Sequence, residues 1–318
     1  MKISVVGCGR WGSFIAWYLD SLGHDVLLYG REDSIHLKRF RETRTNGLVT
    51  LSRRVRLTSD LCESMESEII IVSISAQNLR ELMERISGYE PMGKTFVLCM
   101  KGLEAKSGKR LSEIAGEYMD GTNKVAVWLG PGHVQEFLRG IPNCMVIDSW
   151  DEETKRNLVA AFSGELIRFY YGNDLIGNEV GAAAKNVVGI AAGILDGLNL
   201  TSLKGALMSR ATWEIAKLIK AMGGNELSAY GLCHLGDYEA TVFSEFSHNR
   251  RFGEMFVKGE RFSELAEGYT TILALMELSS AYEVELPICR AVYDVLHQGK
   301  SANDALNELF LRSVKQEF

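Results

Sequence analysis

Lys185 is the residue whose surroundings most directly suggest chemistry. It lies in a run of small and apolar residues, where a charge without a function is costly to bury. Apolar surroundings lower the pKa of a lysine toward values that suit proton transfer near neutral pH. The alternative is a packing helix whose lysine reaches out to the surface, because glycines recur along this run. These glycines are Gly181, Gly189, Gly193 and Gly197.

A glycine-rich segment near the N-terminus has the spacing of a phosphate-binding turn. Gly7, Gly9 and Gly12 form G-x-G-x-x-G directly after a first apolar run and at the start of a helical pattern. Gly7 would allow the tight turn, Gly9 the approach of a pyrophosphate, and Gly12 close packing of helix on sheet. The helix N-terminus offers N–H groups and partial positive charge to phosphates. In this context a dinucleotide site is favoured over a glycine turn without a ligand.

The residues after the second apolar run bear on the choice between NAD and NADP. That run ends at Tyr29, and Gly30, Arg31 and Glu32 follow it. An acidic residue at this strand tip would bond a ribose 2′-hydroxyl, whereas an arginine accommodates a 2′-phosphate. Arg31 comes first and tilts the prediction toward NADP, although it could equally be a solvated loop charge.

The first part of the chain, residues 1–172, alternates apolar runs with amphipathic stretches. This alternation predicts an α/β domain with a Rossmann-type, doubly wound and mostly parallel sheet. The predicted strands are Ile3–Val6, Asp25–Tyr29, Glu68–Ile74, Thr95–Cys99, Val125–Leu129, Cys144–Ile147 and Leu166–Tyr170. The predicted helices between them include Trp11–Leu22, Asn78–Ile86 and Leu103–Tyr118. Asn46-Gly47 predicts a small inserted hairpin with arms Leu48–Leu51 and Val55–Thr58.

From residue 173 to 318 the strand signals stop. Helical periodicity predicts helices at 175–197, 201–222, 261–283 and 288–296, so this second domain should be all-α. No low-complexity linker separates the domains, and the cleft between two such domains is the expected working site.

Composition excludes several classes of protein. The chain has 318 residues, with 35 Lys plus Arg against 41 Asp plus Glu, a net charge of −6. Hydrophobic residues make up 46%, which is ordinary for a globular protein and argues against disorder. A nucleic-acid partner bound through bulk positive charge is not expected.

Cysteine spacing and the N-terminal sequence favour the cytoplasm. The six cysteines are scattered without a C-x-x-C pair, which fits reduced thiols and predicts no metal site. A strand pattern begins at Lys2 with no signal-peptide layout before it. The most apolar stretch, Val180–Leu198, contains Lys185, Asn186 and Asp196, so we expect a buried helix and no membrane span.

A set of segments in a fixed order resembles the bacterial NAD(P)-dependent glycerol-3-phosphate dehydrogenase family, nearly end to end. The segments that carry the resemblance are Gly7–Gly12, Lys101–Glu104, Gly130–His133, Gly181–Ile194, Lys204–Arg210, Leu235–Gly253, Ala266–Gly268 and Glu285–Ile288. The resemblance implies a helical C-terminal domain similar to that of 6-phosphogluconate dehydrogenase. It also implies hydride exchange between a nicotinamide and C2 of glycerol 3-phosphate, which interconverts this compound with dihydroxyacetone phosphate for phospholipid synthesis. A homodimer is a separate expectation.

The resemblance also implies roles for individual residues. Lys185 would be the proton donor and acceptor, with Asp237 and Lys204 as the other catalytic residues. Contacts to NAD or NADP would come from Gly7, Gly9, Arg10, Trp11, Gly12, Arg31, Lys101 and Glu267. Contacts to the small phosphorylated substrate would come from Lys101, Gly130, Asn186, Thr241, Ser247, His248 and Asn249. Without the resemblance, Asp237 could be a turn residue, and Lys101 and Lys204 could be surface lysines.

Departures from the family pattern fall at substrate contacts. The family's Ser-Arg-Asn is Ser247-His248-Asn249 here, and Gly132 replaces the serine of its G-P-S motif. Histidine is only partly charged near neutral pH, whereas arginine is always charged. Two alternatives therefore stay open: a related dehydrogenase of another small 2-hydroxy or keto compound, and a regulator that binds NAD(P) without turnover.

Overall fold

The computed structural model describes residues 1–313, which divide into two compact units. Unit 1 contains Met1–Lys101 and Arg110–Leu175. Unit 2 contains Gly102–Lys109 and the described part of the chain from Ile176 onward. The units therefore divide after Leu175, beyond the expected boundary at 172, and a short segment of the first half of the chain packs with unit 2.

Unit 1 is built on one eight-stranded sheet, in the order β3-β2-β1-β4-β5-β6-β7-β8. The strands are β1 Lys2–Val6, β2 Asp25–Tyr29, β3 Arg56–Thr58, β4 Ile69–Val72, β5 Thr95–Leu98, β6 Lys124–Leu129, β7 Asn143–Ser149 and β8 Ile167–Tyr171. Neighbouring strands pair in parallel except β6 with β7. The strand order reverses beside β1, between β2 and β4, which is where doubly wound sheets bind their ligands. The predicted doubly wound, mostly parallel sheet is confirmed.

The helices of unit 1 follow its strands along the chain. They are α1 Arg10–Ser21, α2 Ile35–Thr43, α3 Leu61–Ser64, α4 Leu79–Ser87, α5 Leu111–Glu117, α6 Val134–Leu138 and α7 Glu152–Phe162. An apolar core forms against the sheet around fully buried aromatic side chains, including Phe14, Trp128 and Phe162.

Two local predictions in the first half of the chain are wrong. Asn46-Gly47 does turn the chain, and Thr45 bridges Thr50, but the second expected arm instead forms β3, which pairs in parallel with β2. The helix predicted over Leu103–Tyr118 is confined to α5. Gly108, in the left-handed region at φ 70°, interrupts the helical path before it.

Unit 2 is helical, and no strand occurs between residues 176 and 313. Its helices are α8 Leu175–Gly197, α9 Lys204–Ala221, α10 His248–Val257, α11 Glu267–Ala281, α12 Pro287–His297 and α13 Ala302–Phe310. A π-helical turn, Glu239–Phe243, precedes α10. The all-α prediction is confirmed, although α10 and α13 were missed and the helix expected from residue 261 starts only at Glu267.

The apolar helix α8 is long enough to cross a membrane, but 89% of its most apolar window is buried inside the protein. Glycines on α8 and α10 let these two helices approach each other closely. A Cβ on Gly193 would overlap the carbonyl oxygen of Arg250, and a Cβ on Gly253 would overlap that of Ile190. Helices α8 and α10 therefore touch backbone to backbone, as expected of the core helix of unit 2.

Candidate active site

The turn between β1 and α1 has the shape that a dinucleotide phosphate requires. Gly7 adopts φ 118°, which favours glycine, and a Cβ there would overlap the carbonyl oxygen of Ser73. A Cβ on Gly12 would overlap the carbonyl oxygen of Gly7. Gly9, by contrast, faces open space and is the N-cap of α1 without a side-chain cap bond. The open approach and the free end of α1 fit a bound pyrophosphate.

Arg10 and Trp11 are the first residues of α1. The Trp11 ring lies 5.1 Å from that of Phe14 and 6.2 Å from that of Phe137. Trp11 therefore joins the glycine turn to the aromatic core of unit 1.

Two ion pairs organise the residues after β2. Arg31 Nε lies 3.4 Å from Asp33 Oδ1, and the Arg31 side chain is 70% exposed. Glu32 accepts hydrogen bonds from Arg41 Nη1 at 2.9 and 3.0 Å. Hydrogen bonds from Ser59 and Arg41 lower the pKa of Glu32. The Glu32 side chain is equally exposed, at 70%, so both residues are open to solvent and each is paired with a neighbouring charge.

Lys101 and Gly130 meet at the ends of neighbouring strands. Lys101 Nζ donates to the Gly130 carbonyl at 2.6 Å. Because β5 and β6 are parallel and adjacent, the residues after their carboxyl ends lie at the same edge of the sheet.

Lys185 lies on α8 in a buried cluster. Its Nζ is 3.0 Å from Asp237 Oδ2, and the two side chains are only 9% and 1% exposed. Nζ also donates to Thr241 Oγ1 at 2.8 Å, and that hydroxyl donates to the Asp237 carbonyl at 2.7 Å. Lys185 therefore does not reach out to the surface. Its ammonium is held by a carboxylate and a hydroxyl, an arrangement that can orient a proton donor.

Lys204, the third residue predicted to be catalytic, lies in a neighbouring cluster. Its Nζ donates to Asp196 Oδ2 at 2.7 Å and to the Val242 carbonyl at 3.1 Å. Asp196 also accepts from Arg250 Nη1. Burial opposes ionisation of Asp196, but the bonds from Lys204 and Arg250 outweigh it and lower the pKa of that carboxyl. The consecutive residues Thr241 and Val242 join the two lysine clusters.

Asn186, which follows Lys185 on α8, forms an amide pair with Asn249 of α10. Asn249 Nδ2 donates to Asn186 Oδ1 at 3.0 Å, and Asn249 Oδ1 accepts from the backbone N–H of Gly268 at 2.9 Å. Glu267, predicted to contact the cofactor, is the first residue of α11 and directly precedes Gly268. The amide pair ties α8 and α10 to the start of α11.

Ser247 and His248 begin α10. The Ser247 hydroxyl caps the helix by accepting from the Arg250 N–H. His248 Nε2 lies 2.8 Å from Glu264 Oε2. The other carboxylate oxygen, Glu264 Oε1, lies 3.4 Å from Arg251 Nη1. His248 thus faces a carboxylate in this structure.

Sequence reasoning missed residues that hold these clusters together. The sequence marks Asp196 only as a polar residue in an apolar stretch, although a carboxylate there requires a nearby cation. His234 and Tyr238 lie on either side of Asp237 and are fully buried. Among residues 1–313, no group of three or more side chains is arranged to hold a metal ion.

The fold and these side chains define a dinucleotide-binding dehydrogenase with a helical second unit. Residues 2–155 match the family model described as "NAD-dependent glycerol-3-phosphate dehydrogenase N-terminus". Residues 174–307 match the corresponding C-terminus model. The chain belongs to the NAD-dependent glycerol-3-phosphate dehydrogenase family.

Individual relatives agree with the family models. The chain is 35% identical to a glycerol-3-phosphate dehydrogenase [NAD(P)+] of Thermoanaerobacter sp. (strain X514), covering 100% of this chain and 99% of the relative. It is 34% identical to the Thermotoga sp. (strain RQ2) protein of that name, with the same coverage. Its structure is similar to crystalline glycerol-3-phosphate dehydrogenase from Coxiella burnetii, with a TM-score of 0.90, 26% identity, and 98% and 99% of the two chains covered.

Proposed function

We propose that this protein interconverts sn-glycerol 3-phosphate and dihydroxyacetone phosphate with NAD(H) or NADP(H). The observation that carries the proposal is the buried Lys185–Asp237 pair, 3.0 Å between Nζ and Oδ2, in the half of the chain that matches the family's C-terminal model. The relatives are named glycerol-3-phosphate dehydrogenase [NAD(P)+], which supports the substrate and the cofactor.

Lys185 is the proposed acid and base. In the reducing direction, its Nζ gives a proton to the C2 oxygen of dihydroxyacetone phosphate, and in oxidation it takes that proton back. The reduced nicotinamide supplies the hydride when it is bound. Asp237 and Thr241 fix Nζ before substrate arrives, because both are already within hydrogen-bond distance of it. This preorganisation lowers the cost of reaching the reactive geometry.

The neighbouring polar residues are the proposed substrate contacts. Asn186 and Asn249 offer amide groups that are held in place by one another and by the Gly268 N–H. Ser247 and His248 lie at the start of α10, next to Asn249 in the chain. A net-negative protein needs such local donors and cations to hold an anionic substrate.

Lys204 is proposed to support the site and to flank the substrate oxygens. Its bonds to Asp196 and to the Val242 carbonyl anchor the π-helical turn that contains Thr241. In unit 1, Lys101 is proposed to contact a phosphate oxygen, with its Nζ already directed to the Gly130 carbonyl.

The dinucleotide is proposed to bind at the β1–α1 turn. Gly7 and Gly12 form the tight backbone and Gly9 leaves the approach open. The exposed Arg31 supports a preference for NADP, because a guanidinium can pair with the 2′-phosphate.

The cellular setting is also part of the proposal. We place the reaction in the cytoplasm and in glycerophospholipid synthesis, and the six free cysteines are consistent with a reducing compartment. We further propose a homodimer. The exposed aromatic side chains Trp150 and Tyr171, near the edge strand β8, provide apolar surface for such a contact. Sedimentation of the purified chain tests the dimer, and a monomer at micromolar concentration contradicts it.

The activity assay follows the absorbance of NADH or NADPH while folded protein reduces dihydroxyacetone phosphate. Turnover with at least one cofactor is expected. Binding of either cofactor without turnover of this substrate contradicts the proposal. A panel of other small ketones and 2-keto acids then separates a related dehydrogenase from a regulator.

A further inference from the structure

A buried histidine–tyrosine pair lies beside the Lys185–Asp237 pair. His234 is 0% exposed and Tyr238 is 1% exposed. The Tyr238 hydroxyl lies 2.8 Å from His234 Nε2, and the two rings meet edge to face with centroids 5.0 Å apart. Neither residue is among the groups proposed above to contact substrate or cofactor.

The partners of His234 determine where its proton lies. His234 Nδ1 is 2.8 Å from the carbonyl oxygen of Gly181, which can only accept. Nδ1 therefore carries the proton, and Nε2 accepts from the Tyr238 hydroxyl. Burial lowers the pKa of His234 to about 4, so the ring is neutral near neutral pH and keeps one donor and one acceptor.

The hydrogen bond from His234 to the Gly181 carbonyl joins His234 to α8, the helix that carries Lys185. Gly181 precedes Lys185 by four residues on α8, so in a regular helix its carbonyl also accepts the backbone N–H of Lys185. Gly181 permits the close approach, because a Cβ there would lie 2.9 Å from the His234 Cβ. The histidine therefore contacts the helical turn that immediately precedes Lys185.

The hydrogen bond between Tyr238 and His234 spans the segment that carries Asp237. The Asp237 N–H donates to the carbonyl of His234 at 3.0 Å, within the 3₁₀ turn Leu235–Asp237. Tyr238 follows Asp237 directly, and its ring is fixed by the bond to His234. His234 and Tyr238 thus hold Asp237 from both sides while His234 is bonded to α8.

We propose that His234 and Tyr238 are positioning residues, which set the Lys185–Asp237 geometry by clamping the Leu235–Asp237 turn to α8. This proposal rests on the proposed function, because its first test measures kcat for dihydroxyacetone phosphate reduction. Substrate affinity comes from other side chains, so loosening the clamp lowers kcat and leaves KM for dihydroxyacetone phosphate nearly unchanged.

Three variants separate the two bonds of the clamp. Tyr238→Phe removes only the hydroxyl, His234→Asn keeps a donor for the Gly181 carbonyl, and His234→Ala removes both bonds. We expect kcat to fall about tenfold in Tyr238→Phe, since one buried hydrogen bond of about 1.4 kcal/mol corresponds to that factor. His234→Ala should fall further, and His234→Asn should recover part of that loss.

The same kcat assay serves the control variant and shows which results would overturn the proposal. Tyr230→Phe makes the same chemical change at a side chain that is 44% exposed, and it should keep wild-type kcat. Circular dichroism establishes that each variant is folded. A folded Tyr238→Phe with wild-type kcat overturns the proposal even if its thermal stability is reduced. So does a His234→Asn that is no better than His234→Ala.

A second readout does not depend on turnover. Nitrogen-15 spectra of histidine-labelled wild-type protein, assigned with His234→Asn, report the protonation of each ring nitrogen. A neutral His234 with its proton on Nδ1 supports the clamp, and a charged ring or a proton on Nε2 overturns it. If wild-type protein does not reduce dihydroxyacetone phosphate, the proposed function fails while this spectrum still decides the clamp.

Discussion

The Lys185–Asp237 pair can be dismantled one charge at a time. Asp237→Asn leaves a buried ammonium without its carboxylate, and Lys185→Met leaves a buried carboxylate without its ammonium. The two side chains are 9% and 1% exposed, so water cannot replace the missing partner. Removing one member of a buried ion pair costs about 3–5 kcal/mol of unfolding free energy.

The geometry refines these values. In Asp237→Asn, Nζ retains Thr241 Oγ1, 2.8 Å away, as an acceptor, so we expect a loss near the lower end, about 3 kcal/mol. The double variant Lys185→Met/Asp237→Asn buries no charge at this position. Because neutral replacements of buried ion pairs are often tolerated, it should lie within about 1 kcal/mol of wild type.

Urea denaturation followed by circular dichroism measures the stability of the four proteins, and reduction of dihydroxyacetone phosphate measures their activity. Stability should recover in the double variant while activity stays lost, because the proton donor is absent. Additive destabilisation by the two single changes would refute the coupling of the pair. An active double variant would refute the role of Lys185.

Three further predictions concern other parts of the molecule. Gly193→Ala should lower the free energy of unfolding in urea by about 1–3 kcal/mol, because its Cβ would overlap the Arg250 carbonyl oxygen. Gly205→Ala, whose Cβ would meet nothing within 4 Å, should not destabilise the protein. Equal effects of the two changes would contradict the α8–α10 contact. Burial raises the pKa of Glu214 from 4.5 to about 7, so between these values the folded state holds a proton that the unfolded state releases. Unfolding free energy should therefore fall with rising pH through this window, by about 1.4 kcal/mol per unit from this group, and a pH series on Glu214→Gln should lack that contribution; an unchanged slope would contradict it. Arg31→Ala should raise KM for NADPH more than KM for NADH in steady-state assays, and an equal change in both would remove Arg31 from the 2′-phosphate.

Strand positions and the helical character of unit 2 could be predicted from the sequence, because buried parallel strands are continuous apolar runs. Ile69–Val72 is a clear example. The sequence predicts Val55–Thr58 as a hairpin arm because a turn signal stands before it, yet its residues Arg56–Thr58 pair with β2 across a longer connection. Apolar pattern and turn type report local geometry and do not identify a distant pairing partner.

Helix starts were missed where the signal was a single capping residue. Ser247 caps α10 and Ser301 caps α13, each by accepting from a backbone N–H three residues on. A capping serine is a short signal, and the helix that follows is stabilised mostly by packing on other helices.

In the candidate site, the glycine turn could be predicted from its G-x-G-x-x-G spacing, and Lys185 from being a charged residue within an apolar run. The division of the lysines into two clusters could not, because it depends on which carboxylate each one meets. Lys204 meets Asp196 on α8, and Lys185 meets Asp237 from a 3₁₀ turn. Only the packed structure specifies those pairings.

The most direct test of Lys185 as the acid and base compares wild-type protein, Lys185→Ala and Lys220→Ala by their kcat for dihydroxyacetone phosphate reduction. Lys220 is a lysine of α9 whose side chain is 68% exposed, so its loss controls for removing a positive charge from unit 2. Loss of a positioned acid or base reduces rate by roughly 10²–10⁴-fold. We expect a loss of that size in Lys185→Ala and wild-type turnover in Lys220→Ala. A folded Lys185→Ala protein with near-wild-type kcat would contradict the account.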